Sequence, residues 1–229
     1  MIALRDVCKA YKTPYGRKVI LDGVSREFPP GTNVGILGRN GSGKSTLIRM
    51  ISGTESADSG TIEKSARVSW PLGFSVGFNS KLSGRENLRF ICRLYGESYR
   101  KLIDFVEDFA ELGDYLDMPV ITYSSGMKAK LTFGISMAFH FDYYLIDELT
   151  AVGDAVFRQK SKDCFAERSK NATLLVVSHS MGTIRTFCDK AMVLHGGNLL
   201  DFSDLEEAQA YYQRECCGLA PARTVRLRA

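Results

Sequence analysis

The run from Gly38 to Thr46 has the residue types and spacing of a loop that binds phosphate. It contains the pattern G-x-x-x-x-G-K-S. Glycines allow backbone turns that point successive N–H groups at an anion, and a helix beginning near Lys44 would add the positive end of its dipole. We expect Lys44 to reach the β- and γ-phosphates of a nucleotide and the Ser45 hydroxyl to ligate Mg²⁺. The candidate nucleotide-binding residues of this run are Gly38, Arg39, Asn40, Gly41, Ser42, Gly43, Lys44, Ser45 and Thr46.

The elements on either side of this loop suit that chemistry. An apolar stretch at 34–37 precedes the loop and predicts a strand, while Leu47, Ile48 and Ile51 follow it at helical spacing. A strand, a loop and a helix in this order are the context that the pattern requires. The alternative, an ordinary glycine-rich turn, is disfavoured by that context.

Two carboxylates follow a second apolar run. Residues 143–146 are apolar and lead directly into Asp147 and Glu148. A buried strand ending in acids places them at the carboxyl edge of a sheet, where open α/β folds bind their ligands. We expect Asp147 to bind Mg²⁺ and Glu148 to act as the base for the attacking water. Without the phosphate-binding pattern earlier in the chain, Asp147 and Glu148 would be interpreted as a cap at the start of a helix.

Composition sets the outer limits of the fold. The chain has 229 residues, 45% of them hydrophobic, and a net charge of +4, which suffices for one large core or two unequal lobes. It contains no apolar run of eighteen residues and no basic leader, so we expect neither a membrane span nor a secretion signal. The six cysteines have no metal-ligand spacing and suit reduced thiols. We expect a single domain over 1–215 and a short basic tail over 216–229.

The pattern of apolar residues predicts how the elements follow one another. Short strands are expected at 2–7, 18–21, 24–28 and 33–37. After Leu82 the period becomes helical, and the two expected buried stripes are Leu88, Ile91, Cys92 and Tyr95, then Leu102, Phe105, Val106 and Phe109. From Tyr143 onward strands and helices alternate. A hairpin at Gly196-Gly197-Asn198 and a last helix near 205–212 follow.

Further motifs make the chain resemble the ATP-binding cassette (ABC) family of ATPases, over nearly its whole length. They are an aromatic at Tyr11, the run Tyr123 to Met127, the run Ala151 to Asp154, and His179. The resemblance implies an α/β fold: a P-loop NTPase (RecA-like) ABC nucleotide-binding domain with an antiparallel β subdomain and an inserted helical subdomain at about 81–139. It also implies ATP and Mg²⁺ as ligands.

The run from Tyr123 to Met127 corresponds to the family signature, leucine-serine-glycine-glycine-glutamine. Ser124 and Gly126 are retained, whereas Tyr123, Ser125 and Met127 replace the usual residues. A serine hydroxyl, a glycine and a helix N-terminus still suit an anion. By resemblance, Ser124, Ser125 and Gly126 contact the nucleotide of a second subunit, which implies a head-to-tail homodimer holding two ATP molecules. The alternative is an ordinary N-cap.

The remaining motifs receive their roles from the same resemblance. His179 would hydrogen-bond the γ-phosphate, Asp154 would lie in the loop that crosses the dimer interface, and Tyr11 would stack on adenine. Tyr11 could equally be a half-exposed strand residue. The glutamine that the family carries before its helical subdomain is absent; Asn79 is the nearest substitute, as a possible metal ligand with a shorter stem.

A narrower fingerprint is similar to the ATPase subunit of bacterial exporters of capsular polysaccharide. It comprises the segments Trp70 to Leu72, Asn87 to Tyr95, Tyr123 to Lys128 and Tyr144 to Asp154. About 34 residues follow His195, which favours the capsule type over O-antigen exporters that add a carbohydrate-binding domain. The alternatives are an O-antigen or teichoic acid exporter, or a soluble cassette ATPase acting on nucleic acid or the ribosome.

This narrower resemblance also implies the partners of the chain and its location in the cell. The partners would be a separate integral membrane permease beside residues 72–95 and other envelope export components. Nucleic acid is not expected as a partner, because the net charge of +4 is low for such a surface. The expected place is the cytoplasmic face of the bacterial inner membrane, as a peripheral subunit.

Overall fold

A computed structural model describes residues 1–72, 78–147 and 155–218 of the chain. These residues divide into two units. The first consists of Met1–Ala66 together with the chain from Leu174 onward, and the second is Arg67–Thr173. Among the described residues, no helix combines the length and apolar character that a membrane crossing requires.

The first unit contains a three-stranded antiparallel sheet. Its strands are β1 (Ile2–Thr13), β2 (Gly16–Phe28) and β4 (Ser59–Lys64), in the order β2-β1-β4. The separate strands expected at 18–21 and 24–28 are one strand, so this prediction was wrong. The register between β1 and β2 shifts at several places, and Gly23 at φ 63° lets β2 continue through the irregularity.

The first unit also contains a mostly parallel sheet that carries the glycine-rich loop. Its strands are β3 (Val34–Leu37), β7 (Thr173–Val177), β8 (Lys190–His195) and β9 (Asn198–Phe202), in the order β7-β3-β8-β9. β3 and β7 are buried along their whole length, as expected for parallel strands. β8 and β9 form the hairpin predicted at Gly196 and Gly197. The helices of this unit are α1 (Lys44–Ser52), α6 (Met181–Phe187) and α7 (Leu205–Tyr211), which continues as a π-helical turn over Tyr212–Cys216.

The second unit contains two parallel strands with three helices between them in sequence and a fourth helix after them. The strands are β5 (Val68–Leu72) and β6 (Tyr143–Asp147). The helices between them are α2 (Gly84–Tyr95), α3 (Tyr99–Ala110) and α4 (Ser125–Ala138), and α5 (Ala155–Ser169) follows β6. Single 3₁₀ turns occupy Gly113–Asp117 and Val120–Thr122. Ser83 and Glu86 form a reciprocal capping box that starts α2.

Aromatic side chains form much of the core of the second unit. Trp70 packs edge-on against Tyr95, Phe139 and Phe141 at ring-centroid distances between 5.2 and 5.5 Å. Its indole N–H donates to Ser136 Oγ at 2.8 Å, so the buried tryptophan leaves no polar group unsatisfied there. These contacts tie β5 to α2 and to the end of α4.

The helical stripes are confirmed for α2 and shifted for α3. Leu88, Ile91 and Cys92 are buried as expected. In α3 the buried residues are Ile103, Val106, Phe109 and Ala110, whereas Leu102 and Phe105 are half-exposed. Apolar residues at 102, 103, 105 and 106 allow two overlapping helical faces, and packing against α4 selects the one through Ile103.

Candidate active site

The glycine-rich loop lies at the carboxyl end of β3. Gly41 and Gly43 adopt φ angles of 76° and 107°, which side chains with a Cβ rarely reach. A Cβ at Gly43 would lie 2.2 Å from Ile20 Cγ2, and one at Gly38 would lie 2.6 Å from Ser42 Oγ. Packing within the unit therefore requires glycine at these positions, and the backbone itself forms the concave surface.

Lys44 supplies the charge of this loop. Its side chain is 7% exposed, and Nζ donates to the carbonyl oxygens of Gly38 at 2.7 Å and of Arg39 at 3.0 Å. The ammonium group is thus held across the loop at the start of α1, where the helix dipole is positive. A buried ammonium group beside a glycine-rich loop suits the binding of a polyphosphate.

Hydroxyl groups and a cavity complete this surface. Ser42 Oγ is buried and has no hydrogen-bond partner among the described residues, so a ligand oxygen would satisfy it. Ser45 is half-buried, and Thr46 is buried beneath the loop. A cavity of about 290 Å³ borders the loop at residues 39–42, with Lys18 among its other lining residues. These features fit a phosphate-bearing ligand.

His179 lies at the same edge of the same sheet. β7 pairs with β3 so that Val177 is opposite Ile36, and His179 and Gly38 each lie two residues further along. Ser178 N donates to Ile36 O at 3.3 Å, which holds the two strand ends together. The His179 side chain is exposed. The register of the sheet thus brings this histidine to the level of the loop.

Tyr11 lies near the end of β1 in the first unit. Its ring is half-buried, and its hydroxyl donates to Glu55 Oε1 and lies 3.4 Å from Thr46 Oγ1. Lys9 Nζ is 5.4 Å from the centre of the ring. The first unit therefore brings Tyr11 to the helix that follows the glycine-rich loop.

Asp147 ends β6 in the second unit. The four residues before it are buried and Asp147 itself is half-buried, as expected for an acid at a strand's carboxyl end. Glu148 and Asp154 lie outside the described residues, as does the run between them.

The signature residues begin α4 in the second unit. Ser124 is the N-cap, and its Oγ accepts from Met127 N at 3.2 Å. Ser124 and Ser125 are exposed. Among the described residues, a Cβ at Gly126 would approach Ser124 Oγ at 3.9 Å and nothing nearer. Packing against the described residues therefore gives no reason for glycine at position 126.

Asn79 is occupied by local contacts. Its Oδ1 accepts from Lys81 N at 3.0 Å, and its backbone N–H donates to Asn87 Oδ1 at 2.8 Å. Asn87, fully buried on α2, also donates to the carbonyl oxygens of Asn79, Leu82 and Ser83. Sequence reasoning missed Asn87, although an amide beside the apolar stripe of α2 was a visible signal.

Sequence reasoning also missed a cluster of charges beside Tyr11. Glu55 is at its centre: the carboxylate accepts from the tyrosine hydroxyl and from Arg49 Nε, and Lys9 Nζ lies 3.4 Å from Glu55 Oε1. Arg49 lies on an exposed edge of α1 and Glu55 in the turn that follows the helix. No short motif joins these residues to Tyr11, because 44 residues separate Tyr11 from Glu55.

Sequence comparison with known proteins identifies the family of this chain. Residues 21–151 match the family model described as ABC transporter. The polysialic acid transport ATP-binding protein KpsT of Escherichia coli is 47% identical over 218 residues, covering 92% of this chain and 97% of that protein. The capsule polysaccharide export ATP-binding protein CtrD of Neisseria meningitidis serogroup B is also 47% identical, covering 93% and 98%.

Solved structures agree with the sequence comparison on the fold. A dimeric ATP-binding cassette in a post-hydrolysis state, bound to ADP and phosphate, superposes with a TM-score of 0.71 at 20% identity, covering 87% of this chain and 96% of that one. The expected α/β fold of a P-loop cassette is thereby confirmed. The chain belongs to the ABC transporter family, as an ATPase that binds ATP through its cassette domain.

Proposed function

We propose that this chain hydrolyses ATP to drive the export of capsular polysaccharide across the cytoplasmic membrane through a separate membrane permease. The observation that carries the proposal is the loop at Gly38–Thr46, with its required glycines and its buried Lys44, in a chain 47% identical to named transport ATPases of capsule and polysialic acid. Residues 1–215 form one nucleotide-binding domain in this proposal, and 216–229 a basic tail.

The loop residues bind the phosphates of ATP. Backbone N–H groups of Gly41 and Gly43 face the anion, and Lys44 exchanges its two carbonyl contacts for phosphate oxygens. Ser45 and Asp147 are the proposed ligands of Mg²⁺, since a hydroxyl and a carboxylate are the oxygen donors it prefers. When bound, Mg²⁺ neutralises charge on the β- and γ-phosphates. Asn79 is the proposed third ligand; its Oδ1 accepts one hydrogen bond, from Lys81 N, which leaves one lone pair for the metal.

Hydrolysis needs a base for the attacking water and a contact to the γ-phosphoryl group, which is transferred to that water as ADP leaves. Glu148 is proposed to accept the proton of the attacking water. His179, at the level of the loop in the paired sheet, donates a hydrogen bond to the γ-phosphate. Tyr11 stacks on adenine through its half-buried ring.

Two copies are proposed to work as a head-to-tail homodimer. Ser124, Ser125 and Gly126 of one copy contact the nucleotide held by the loop of the other, and Asp154 lies at the interface between the copies. The open space at Gly126 supports this, because it leaves room for a ligand from outside the chain. Closure of the dimer does work on the permease through contacts that differ between the open and closed states.

The permease is proposed to bind beside residues 72–95. Phe90 and Leu94 on α2 are 49% and 68% exposed, and such exposed apolar side chains are typical of an interaction surface. The chain would thereby be held at the cytoplasmic face of the inner membrane as a peripheral subunit. Other envelope components would carry the polymer onward.

The test replaces Lys44 by Ala in the source cell, with the exposed Lys101→Ala on α3 as the matched control. We expect polysaccharide to accumulate in the cytoplasm and to disappear from the surface in the Lys44 variant alone. The sugar composition of the retained polymer then identifies the cargo; teichoic acid or O-antigen in its place would change the cargo and keep the export function. Unchanged surface polysaccharide would refute the export proposal, while ATP hydrolysis by the purified protein separately tests the ATPase.

A further inference from the structure

We propose that Glu55 is a positioning residue for the nucleotide base: it fixes the ring of Tyr11 and thereby sets the affinity for ATP. The inference rests on the proposed function, in which Tyr11 stacks on adenine. It concerns a contact between β1 and the turn after α1, both within the first unit.

The contact that carries the inference is made by the tyrosine hydroxyl. Tyr11 donates to Glu55 Oε1, and the same hydroxyl lies 3.4 Å from Thr46 Oγ1. A phenol ring with its hydroxyl held at the far end cannot swing about its Cα–Cβ bond. The long axis of the ring, from Cβ to the hydroxyl, is therefore fixed relative to the helix that starts at the phosphate loop.

Two cations hold Glu55 in place. Arg49 Nε donates to Glu55 Oε2 at 3.0 Å, and Arg49 Nη2 donates to Thr46 Oγ1 at 3.2 Å. Lys9 Nζ lies 3.4 Å from Glu55 Oε1 and 5.4 Å from the centre of the Tyr11 ring. Burial alone would raise the pKa of Glu55, but hydrogen bonds from Tyr11, Arg49 and Lys9 lower it, so the carboxylate stays ionised as the acceptor.

A second acid anchors the strand end that carries the tyrosine. Asp58 Oδ2 accepts from Ala10 N at 2.7 Å, and Lys9 Nζ lies 3.3 Å from Asp58 Oδ1. Asp58 N donates back to Cys8 O at 2.9 Å. The backbone on the N-terminal side of Tyr11 and its hydroxyl are thus both tied to residues 55–58, at opposite ends of the side chain.

This arrangement acts before ATP binds. A side chain that is already ordered loses less conformational freedom when it packs against the base, and preorganisation of this kind strengthens binding. Removing Glu55 should therefore weaken ATP by about three- to tenfold. A ligand without a base, such as tripolyphosphate, should be unaffected, because it contacts the loop alone.

The experiment measures ATP and tripolyphosphate affinity by calorimetry on the full chain. The variants are Glu55→Ala, Glu55→Gln as the conservative form, and Glu63→Ala as the control on β4, an exposed glutamate with a loose ion pair to Arg5. We expect weaker ATP binding for Glu55→Ala, partial rescue in Glu55→Gln, and wild-type tripolyphosphate affinity in all three. Unchanged tripolyphosphate binding also shows that each variant is folded.

A double-mutant cycle with Tyr11→Phe separates positioning from general structure. Phenylalanine keeps the ring but has no hydroxyl to anchor, so Glu55→Ala should add no further loss in that background. Equal losses of ATP and tripolyphosphate affinity, or additive losses in the cycle, would overturn the inference. Unchanged ATP affinity in Glu55→Ala would overturn the inference and leave the proposed function intact. Unchanged ATP affinity in Tyr11→Ala would also overturn the proposed stacking of Tyr11 on adenine.

Discussion

Two glycine-containing helix starts in this chain are built in different ways. At the start of α1, a φ of 107° and the side chain of Ile20 require glycine at position 43, and the buried Lys44 supplies a positive charge. At the start of α4, Gly126 has open space around it, and two exposed serines replace the cation. The first start combines a strained glycine and a buried cation within one chain, whereas at the second no side chain among the described residues comes nearer than 3.9 Å to a Cβ on Gly126.

The difference teaches how a glycine can be interpreted. A glycine that a neighbouring side chain excludes from carrying a Cβ is explained by the fold. Gly126 has neither a positive φ nor a close neighbour among the described residues, so we infer that a contact from outside the chain explains it.

Replacing Glu148 by Gln should trap a dimer in which the start of α1 in one copy and the start of α4 in the other hold the same ATP. Removing the proposed base should lower turnover about 10²- to 10⁴-fold, leaving two copies held around unhydrolysed ATP. Steady-state ATPase assays and size-exclusion chromatography with ATP measure both effects. Normal hydrolysis in this variant would show that the base was assigned to the wrong residue.

The pair Gly43→Ala and Gly126→Ala should separate the two glycines. At position 43 the new methyl group meets Ile20 at 2.2 Å in a strained backbone, so we expect a loss of about 2–4 kcal/mol in unfolding free energy. At position 126 alanine should leave stability equal or up to about 1 kcal/mol higher, because it is the better helix former, while turnover falls.

Denaturant unfolding and ATPase rates of both variants test this pair. Stability losses of similar size at positions 43 and 126 would remove the contrast between the two sites. Full turnover in Gly126→Ala would remove the reason to invoke a second copy there.

Acid should weaken the network behind Tyr11 through Glu55. Its pKa is lowered in the folded chain, so the carboxylate stabilises the fold fully above its unfolded pKa near about 4.3, and that stability is lost as pH falls through the lower folded value. We expect Glu55→Gln to cost about 1–2 kcal/mol near neutral pH and progressively less below about pH 4. Unfolding curves from pH 7 to pH 3 measure the difference. A difference that is constant or grows in acid would contradict it.

The smallest effect is expected at the cap of α4. Ser124→Ala removes the hydrogen bond to Met127 N and should cost about 1 kcal/mol of stability. If Ser124 also contacts the nucleotide of a second copy, the ATPase turnover of Ser124→Ala should fall by more than this loss of stability explains. Ser124→Asp keeps the cap but repels phosphate, so its turnover should fall without the loss of stability. Thermal melts beside ATPase rates compare them; equal turnover in wild type and both variants would reduce Ser124 to a cap.

Local patterns predicted the parts of the fold in which neighbours in sequence are neighbours in space. The loop at 38–46, the α2 stripe and the turn at Gly196-Gly197 depend on glycine conformation or on helical period, and all three lie where expected. The α3 stripe was misplaced because two overlapping sets of apolar residues have the same period. Packing against α4 decides between them, and no local property of α3 contains that information.

The sequence by itself determined the phosphate loop, the family and the strand-end position of Asp147, because these depend on residue types at short fixed spacings. Tertiary structure alone decided what holds Tyr11 and which of the two glycines is sterically required. Glu55 lies 44 residues from Tyr11, and Ile20 on β2 reaches Gly43 at the start of α1. Such contacts follow from the register of β1 and β2 and the direction of α1, which only the assembled unit fixes.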